Sequence, residues 1–329
     1  MLFEDALRKE DWGQSIWILA IITVIYGCVS MLIANNIFGA NAGIVGVSFL
    51  TVFLLPVIQN IRDVVEKPTS IKQVFLGKAS TPRSYLVIFL AVFFLYTALS
   101  FLLPLLGFDV TNVFKEQLQS FLPVGSAIAL SSEALTHILE SNLFVLSLAF
   151  LFGFIWIDSG IFFVIWNASA WGATFGFRSV AASAAAGANP WEYLGILFIQ
   201  VIWHALIEGG AYVLAAAAGG MIGHAAYQHK ENPFLYAGAV LTGTIVIVTV
   251  RAMLPTLSLF LNIAFLAIVI FFISQAVPEE NLPEVIQGSK WFGYAILLFI
   301  VGAIVEAVVL TNSESVNTIY AYADMFIRK

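Results

Sequence analysis

Apolar residues in this chain come in unbroken stretches of roughly 17–23 residues, the length that carries an α-helix across the hydrocarbon core of a bilayer. A membrane β-barrel would show shorter segments of alternating polarity instead. The fold class read from this pattern is all-α, a polytopic helical membrane protein. Composition agrees, with 60% hydrophobic and 10% charged residues and a mean hydropathy of +0.95, far from a soluble globular chain. What remains between the stretches is too short for a large soluble domain. The net charge of −6 comes without a basic stripe or an aromatic-plus-basic platform, which excludes nucleic acid as a partner. A single cysteine, Cys28, excludes an intramolecular disulfide and any cysteine-based metal site.

In chain order, residues 1–14 form an interfacial N-terminal segment, with Leu2, Phe3, Ala6 and Leu7 opposite Glu4, Asp5, Arg8 and Lys9. No small-residue cleavage site follows, so the first apolar stretch is expected to stay as a span. Residues 15–106 make a three-span region, with spans near 16–34, 43–58 and 84–106. The third, rich in Phe and Leu, is expected to face lipid over much of its surface. Between the second and third lie Arg62, Lys67, Lys72, Lys78 and Arg83, the densest basic run in the chain and therefore cytoplasmic. Residues 107–141 read as an extracytoplasmic loop whose end, 131–140, is an amphipathic helix capped by Ser131 or Ser132.

From Asn142 small and polar residues enter the apolar runs. Residues 142–160 and 161–177 are expected as a hairpin or two tilted spans joined at Asp158, Ser159 and Gly160, followed by a small-residue linker over 178–191. Further spans near 235–253, 256–275 and 291–311 bring the count to about ten segments, before a cytoplasmic tail at 312–329. Both ends are expected inside, because that assignment leaves only Lys115, Arg178, Lys230 and Lys290 on the outer side. Re-entrant pairs at 142–177 and 193–227 would preserve the same parity.

Residues 193–227, YLGILFIQVIWHALIEGGAYVLAAAAGGMIGHAAY, are the most informative. If wholly helical they would reach about 52 Å, so a break is expected near Gly209–Gly210. His204 and Glu208 share a helix face one turn apart, and ionisable groups at such depth normally face a bundle interior or a cavity. Three readings stay open: a structural hydrogen bond locking the break, a transport or proton-relay site, and a metal-dependent intramembrane hydrolase. The last lacks a third ligand, since His224 is too far along the segment and no H-E-x-x-H is present.

Asn167, Asp158 and Glu306 are possible partners of His204 and Glu208 in this polar core: Asp158 reads first as the cap of the next helix, Asn167 needs a partner across helices, and Glu306 is an alternative partner for Arg251, which is read as snorkelling to the interface. Trp203, beside His204, is expected to stack on it. Gly172 and Gly176, and Gly219 and Gly223 after the Ala215–Ala218 run, form small-xxx-small faces for close helix packing.

Taken together, Asn142, Phe150, Gly153, Gly160, Asn167 and Gly172, then His204-Ala-Leu-Ile-Glu208 with the Ala/Gly run through Gly223, then the closing helix with Glu306 and Thr311, resemble the stage II sporulation protein M family of integral membrane proteins. The resemblance covers 142–311 and departs from the family pattern at Ala168 and Ala205, where glycine is usual. It implies a membrane partner within a larger assembly, one that in spore formers localises cell-wall-remodelling enzymes, and no established catalysis. The expectation is a multi-pass cell-membrane scaffold without cofactor or metal. Its partners would be the lipid bilayer, other membrane or envelope proteins, and further copies of itself through the glycine and alanine faces.

Overall fold

The computed structural model describes residues 16–64, 81–107, 109–119, 132–227 and 279–313, with scattered positions between 238 and 277 and between 316 and 319. The expected interfacial segment at 1–14, most of the basic loop, most of the two spans at 235–253 and 256–275, Arg251 and the end of the tail lie outside these residues. Every regular element among the described residues is helical. Helix α1 is Ile16–Phe38 and α2 is Ala42–Val64, joined by a short 3-10 turn at Gly39–Asn41. They are followed by α3 (Thr81–Leu105), the one-turn α4 (Lys115–Gln119), α5 (Ser132–Ile155), α6 (Ile161–Ala186), α7 (Pro190–Tyr227) and α8 (Leu282–Asn312).

Five of these helices are long and apolar enough to cross a membrane: α1, α2, α3, α7 and α8. A shorter apolar stretch, Leu139–Ile155, occupies α5. The protein is therefore a multi-pass, membrane-embedded helical bundle, and the described residues hold five full-length spans where about ten segments were expected. Exposed apolar stripes recur at helical spacing. Trp17, Ile21, Ile25 and Leu32 line one face of α1, while Leu297, Val301, Ile304 and Val308 line one face of α8. Such stripes on a bundle exterior are the surface that lipid covers.

Helix α6 is the inner element. It packs against α3, α7, α4, α2 and α5, and its small and polar residues, among them Ala168, Ser169, Gly172, Thr174, Gly176 and Ser179, are buried. Arg178, expected in an outer loop, is buried within it. The expected linker is mostly helix because 181–186 is dominated by alanine, the best helix former. It stops at Gly187, whose left-handed φ of 63° ends the helix. Two residues later Asn189 Oδ1 accepts the Trp191 N–H at 3.0 Å, with Pro190 as the first helical residue of α7.

Helix α3 also departs from expectation. Tyr85, Ile88, Phe89, Val92, Phe93, Tyr96 and Phe101 are buried, because α3 is the cover of α6. A side-chain methyl on Gly172 would overlap the Phe93 carbonyl oxygen, and one on Gly176 would sit 2.5 Å from the Thr97 carbonyl oxygen. Backbone thus lies against backbone along this seam. The second seam joins α5 and α7: a methyl at Gly219 would overlap the Phe150 carbonyl oxygen, one at Gly223 would sit 2.5 Å from the Phe154 carbonyl oxygen, and one at Gly153 2.6 Å from the Ala216 carbonyl oxygen. In an apolar solvent, where burial of Leu against Leu gains little, such close packing is what holds helices together.

The expected amphipathic helix at the end of the outer loop is continuous with the next apolar stretch, giving α5 its 24 residues. Helices α5 and α6 do form a hairpin, joined by 156–160. Asp158 there has a φ of 72°, a conformation that Asp tolerates better than most residues.

Candidate functional site

Helix α7 runs unbroken for 38 residues through the expected break. A glycine costs a helix about 1 kcal/mol relative to alanine, which tertiary packing outweighs here. A methyl on Gly209 would overlap the Phe89 ring of α3, whereas one on Gly210 would meet only Leu298 Cδ1 at 3.8 Å. Gly209 thus admits a neighbouring ring, and the continuous helix carries His204, Glu208 and Tyr212 at successive turns through the middle of the bundle.

Glu208 and Glu306 meet. Glu208 comes from the centre of α7 and Glu306 from the last third of α8, both buried, and their carboxyl groups lie within reach of one another. Gly302, one turn before Glu306, makes the approach feasible, since a methyl there would stand 2.7 Å from Glu208 Cγ. From α5, Asn142 Nδ2 donates to Glu208 Oε1 at 3.0 Å. Three helices therefore converge on one polar centre. Tyr212, buried one turn beyond Glu208, lies within electrostatic reach of both carboxyl groups.

His204 stands apart from this centre. It is buried, yet both ring nitrogens lack a hydrogen-bond partner among the described residues. Its ring packs edge-on against Trp171 of α6, centroids 5.1 Å apart at 67°. Helical spacing placed His204 and Glu208 one turn apart, but the first turns toward α6 while the second turns toward α5 and α8. The expected His204–Glu208 hydrogen bond is not made. Trp203 does not stack on His204 either; its side chain is 64% exposed on the outer surface.

The remaining expected residues serve elsewhere. Asn167 Nδ2 donates to the Phe163 carbonyl of its own helix at 2.7 Å, so its need for a donor-acceptor match is met locally. Asp158 is not the side-chain cap of α6: the cap position is Gly160 and no side chain bonds there. The Asp158 carboxylate instead accepts the Tyr85 hydroxyl of α3 at 2.9 Å. Ser159 Oγ donates to the Phe152 carbonyl at 2.6 Å and closes the turn. His224 pairs with Glu284 at 3.2 Å, and Asn281 Nδ2 reaches the Ala225 carbonyl at 3.3 Å. These two contacts tie the end of α7 to the start of α8. Among the described residues, no three His, Cys, Asp or Glu side chains converge in a way that could hold a metal ion.

Tyr212, Gly302, Trp171 and Tyr85 were missed as site residues. The first was legible as the third member of an i, i+4, i+8 line with His204 and Glu208, and Gly302 as a small residue one turn before a buried acid. Tyr85 and Trp171 carried no local signal, because their partners sit on distant helices. No family model, curated protein or solved structure matches this chain.

Proposed function

We propose that the protein is a non-catalytic scaffold or partner subunit of a cell-membrane complex, with both termini on the cytoplasmic side. The observation that carries this reading is the pair of glycine seams, α3 with α6 at Gly172 and Gly176 and α5 with α7 at Gly219 and Gly223. Cores built of backbone against backbone are rigid, and a rigid core suits a protein whose work is to hold others in place. The polar centre that ties α5, α7 and α8 together supports the same role, as the lock expected of His204 and Glu208 but made by Glu208, Glu306 and Asn142. The resemblance to the stage II sporulation protein M family points the same way, toward a membrane partner of envelope-remodelling machinery; self-association was expected through the glycine and alanine faces, and Gly172, Gly176, Gly219 and Gly223 pack within the chain instead.

The rival reading is a transporter or channel, favoured by the acids buried at mid-helix. It is weakened by Asn167, which spends its amide on its own helix. An intramembrane hydrolase ranks third. The test is purification of the tagged full-length chain from native membranes, with native mass spectrometry of what stays bound. A stoichiometric membrane or envelope protein, or a defined homo-oligomer, is the expected result. A lone monomer that drives solute flux in liposomes would reject the scaffold.

A further inference from the structure

Glu208 and Glu306 are both buried, and a methyl on Gly302, one turn before Glu306, would stand 2.7 Å from Glu208 Cγ, so the two helices close here. Two ionised carboxylates have only acceptors to offer one another, so such a pair is held together by a proton between them. Ionising both would set two negative charges side by side in an apolar interior, at a cost of at least several kcal/mol. The pair is also incompletely satisfied. Glu306 Oε2 is buried without a partner among the described residues. Tyr212, 1% exposed, is an independent group whose hydroxyl is within electrostatic reach of both carboxyls, and no hydrogen bond of that hydroxyl is found among the described residues. A phenol whose hydroxyl makes no hydrogen bond among the described residues, beside a buried carboxyl with an oxygen that makes none, is an arrangement that can accommodate more than one protonation state.

We propose that Glu208 and Glu306 form a binding site for one exchangeable proton. Asn142 and Tyr212 hold the charge left behind when it leaves. In the loaded state the proton lies between the two carboxyl groups and joins α7 to α8. On release it passes to the aqueous phase, the pair goes from one negative charge to two, and each carboxylate keeps a donor: the Asn142 N–H already on Glu208, and the Tyr212 O–H turning toward the pair. At this level of α7 the other helices packed on it among the described residues contribute rings, Phe89 of α3 against Gly209 and Trp171 of α6 against His204. His204 hydrogen-bonds neither acid. The site goes beyond the scaffold reading and does not depend on it.

The test is labelling of the full-length protein in nanodiscs with a hydrophobic carbodiimide, which couples to protonated carboxyl groups in apolar surroundings, read by peptide mass spectrometry from about pH 5 to about pH 9. The expected result is labelling at Glu208 or Glu306 that falls about tenfold for each pH unit above a midpoint. The combined variant Glu208→Gln with Glu306→Gln should show none at either position. Tyr212→Phe, which keeps both acids and the shape of the ring, should hold the label to higher pH by about one unit, because the emptied site has lost a donor. Labelling that does not change with pH would overturn the proposal, since the proton would then be a fixed structural one. A Tyr212→Phe profile identical to the wild type would overturn it too. So would protection by sodium at constant pH, which would make the ligand a metal cation.

Discussion

The carboxyl groups of Glu208 and Glu306 face each other across the contact of α7 with α8, and Asn142 of α5 donates to the first of them at 3.0 Å. Removing Glu208, the member in contact with both of the others, leaves Glu306 buried without it and Asn142 without its acceptor. Glu208→Ala is expected to cost about 3 kcal/mol of stability, read as a drop in the unfolding midpoint in detergent. Glu208→Gln, which can still accept from Asn142 and donate to Glu306, should recover most of it. Equal loss in both variants would show that the polar centre contributes little.

Gly210 in the middle of α7 and Gly219 in its glycine seam make opposite predictions for the same substitution. Gly219→Ala drives a methyl into the Phe150 carbonyl oxygen, and because that neighbour is backbone the helices must separate, for a loss of about 1–3 kcal/mol. Gly210→Ala meets only Leu298 Cδ1 at 3.8 Å and gains helix propensity, up to about 1 kcal/mol. Thermal unfolding of the two variants side by side decides the matter, and a destabilised Gly210→Ala would place an unseen neighbour at that position.

His204 is expected to be a liability for stability. His204→Phe keeps the ring-edge contact with Trp171 and removes two buried nitrogens that bond to nothing among the described residues. A gain of about 1 kcal/mol follows. A melting temperature lowered by several degrees would show the imidazole to be engaged.

Asp158 combines a left-handed backbone with a hydrogen bond from Tyr85. Tyr85→Phe removes only the bond and should cost about 1 kcal/mol. Asp158→Ala loses the bond and puts a residue poorly suited to positive φ in the turn, so its loss should exceed that of Tyr85→Phe by about 1 kcal/mol. Asp158→Asn, which tolerates the same backbone, should fall between the wild type and Asp158→Ala. If all three variants lose the same amount, backbone conformation is not part of the cost.

The helical character and the hairpin join at Asp158, Ser159 and Gly160 were legible because both are local. Composition over about twenty residues sets a helix in a bilayer, and a Gly-containing polar triplet between apolar runs sets a turn. Small residues four apart, as at Gly172 with Gly176 and at Gly219 with Gly223, are likewise visible without knowing what they touch. The rest depends on partners from other helices. Spacing along one helix pairs Glu208 first with His204, and although Glu306 stands among the possible partners of that pair, only the fold shows that the neighbours of Glu208 come from α5 and α8. Gly209 and Gly210 read as a break because the sequence does not display the Phe89 ring that one of them admits. Helix α3 read as lipid-facing because its own residues are apolar, and only the small-residue face of α6 explains why that apolar surface is covered.

An unbroken α7 has a mechanical consequence. At 1.5 Å per residue its 38 residues reach about 57 Å, more than the roughly 40–45 Å of a bilayer with its headgroups. It is a stiff rod, held near its midpoint by Glu208 and toward one end by the α5 seam at Gly219 and Gly223 and the His224–Glu284 contact. A rod that long moves as one body, so a tilt of about 10° would displace its two tips by about 5 Å in opposite directions.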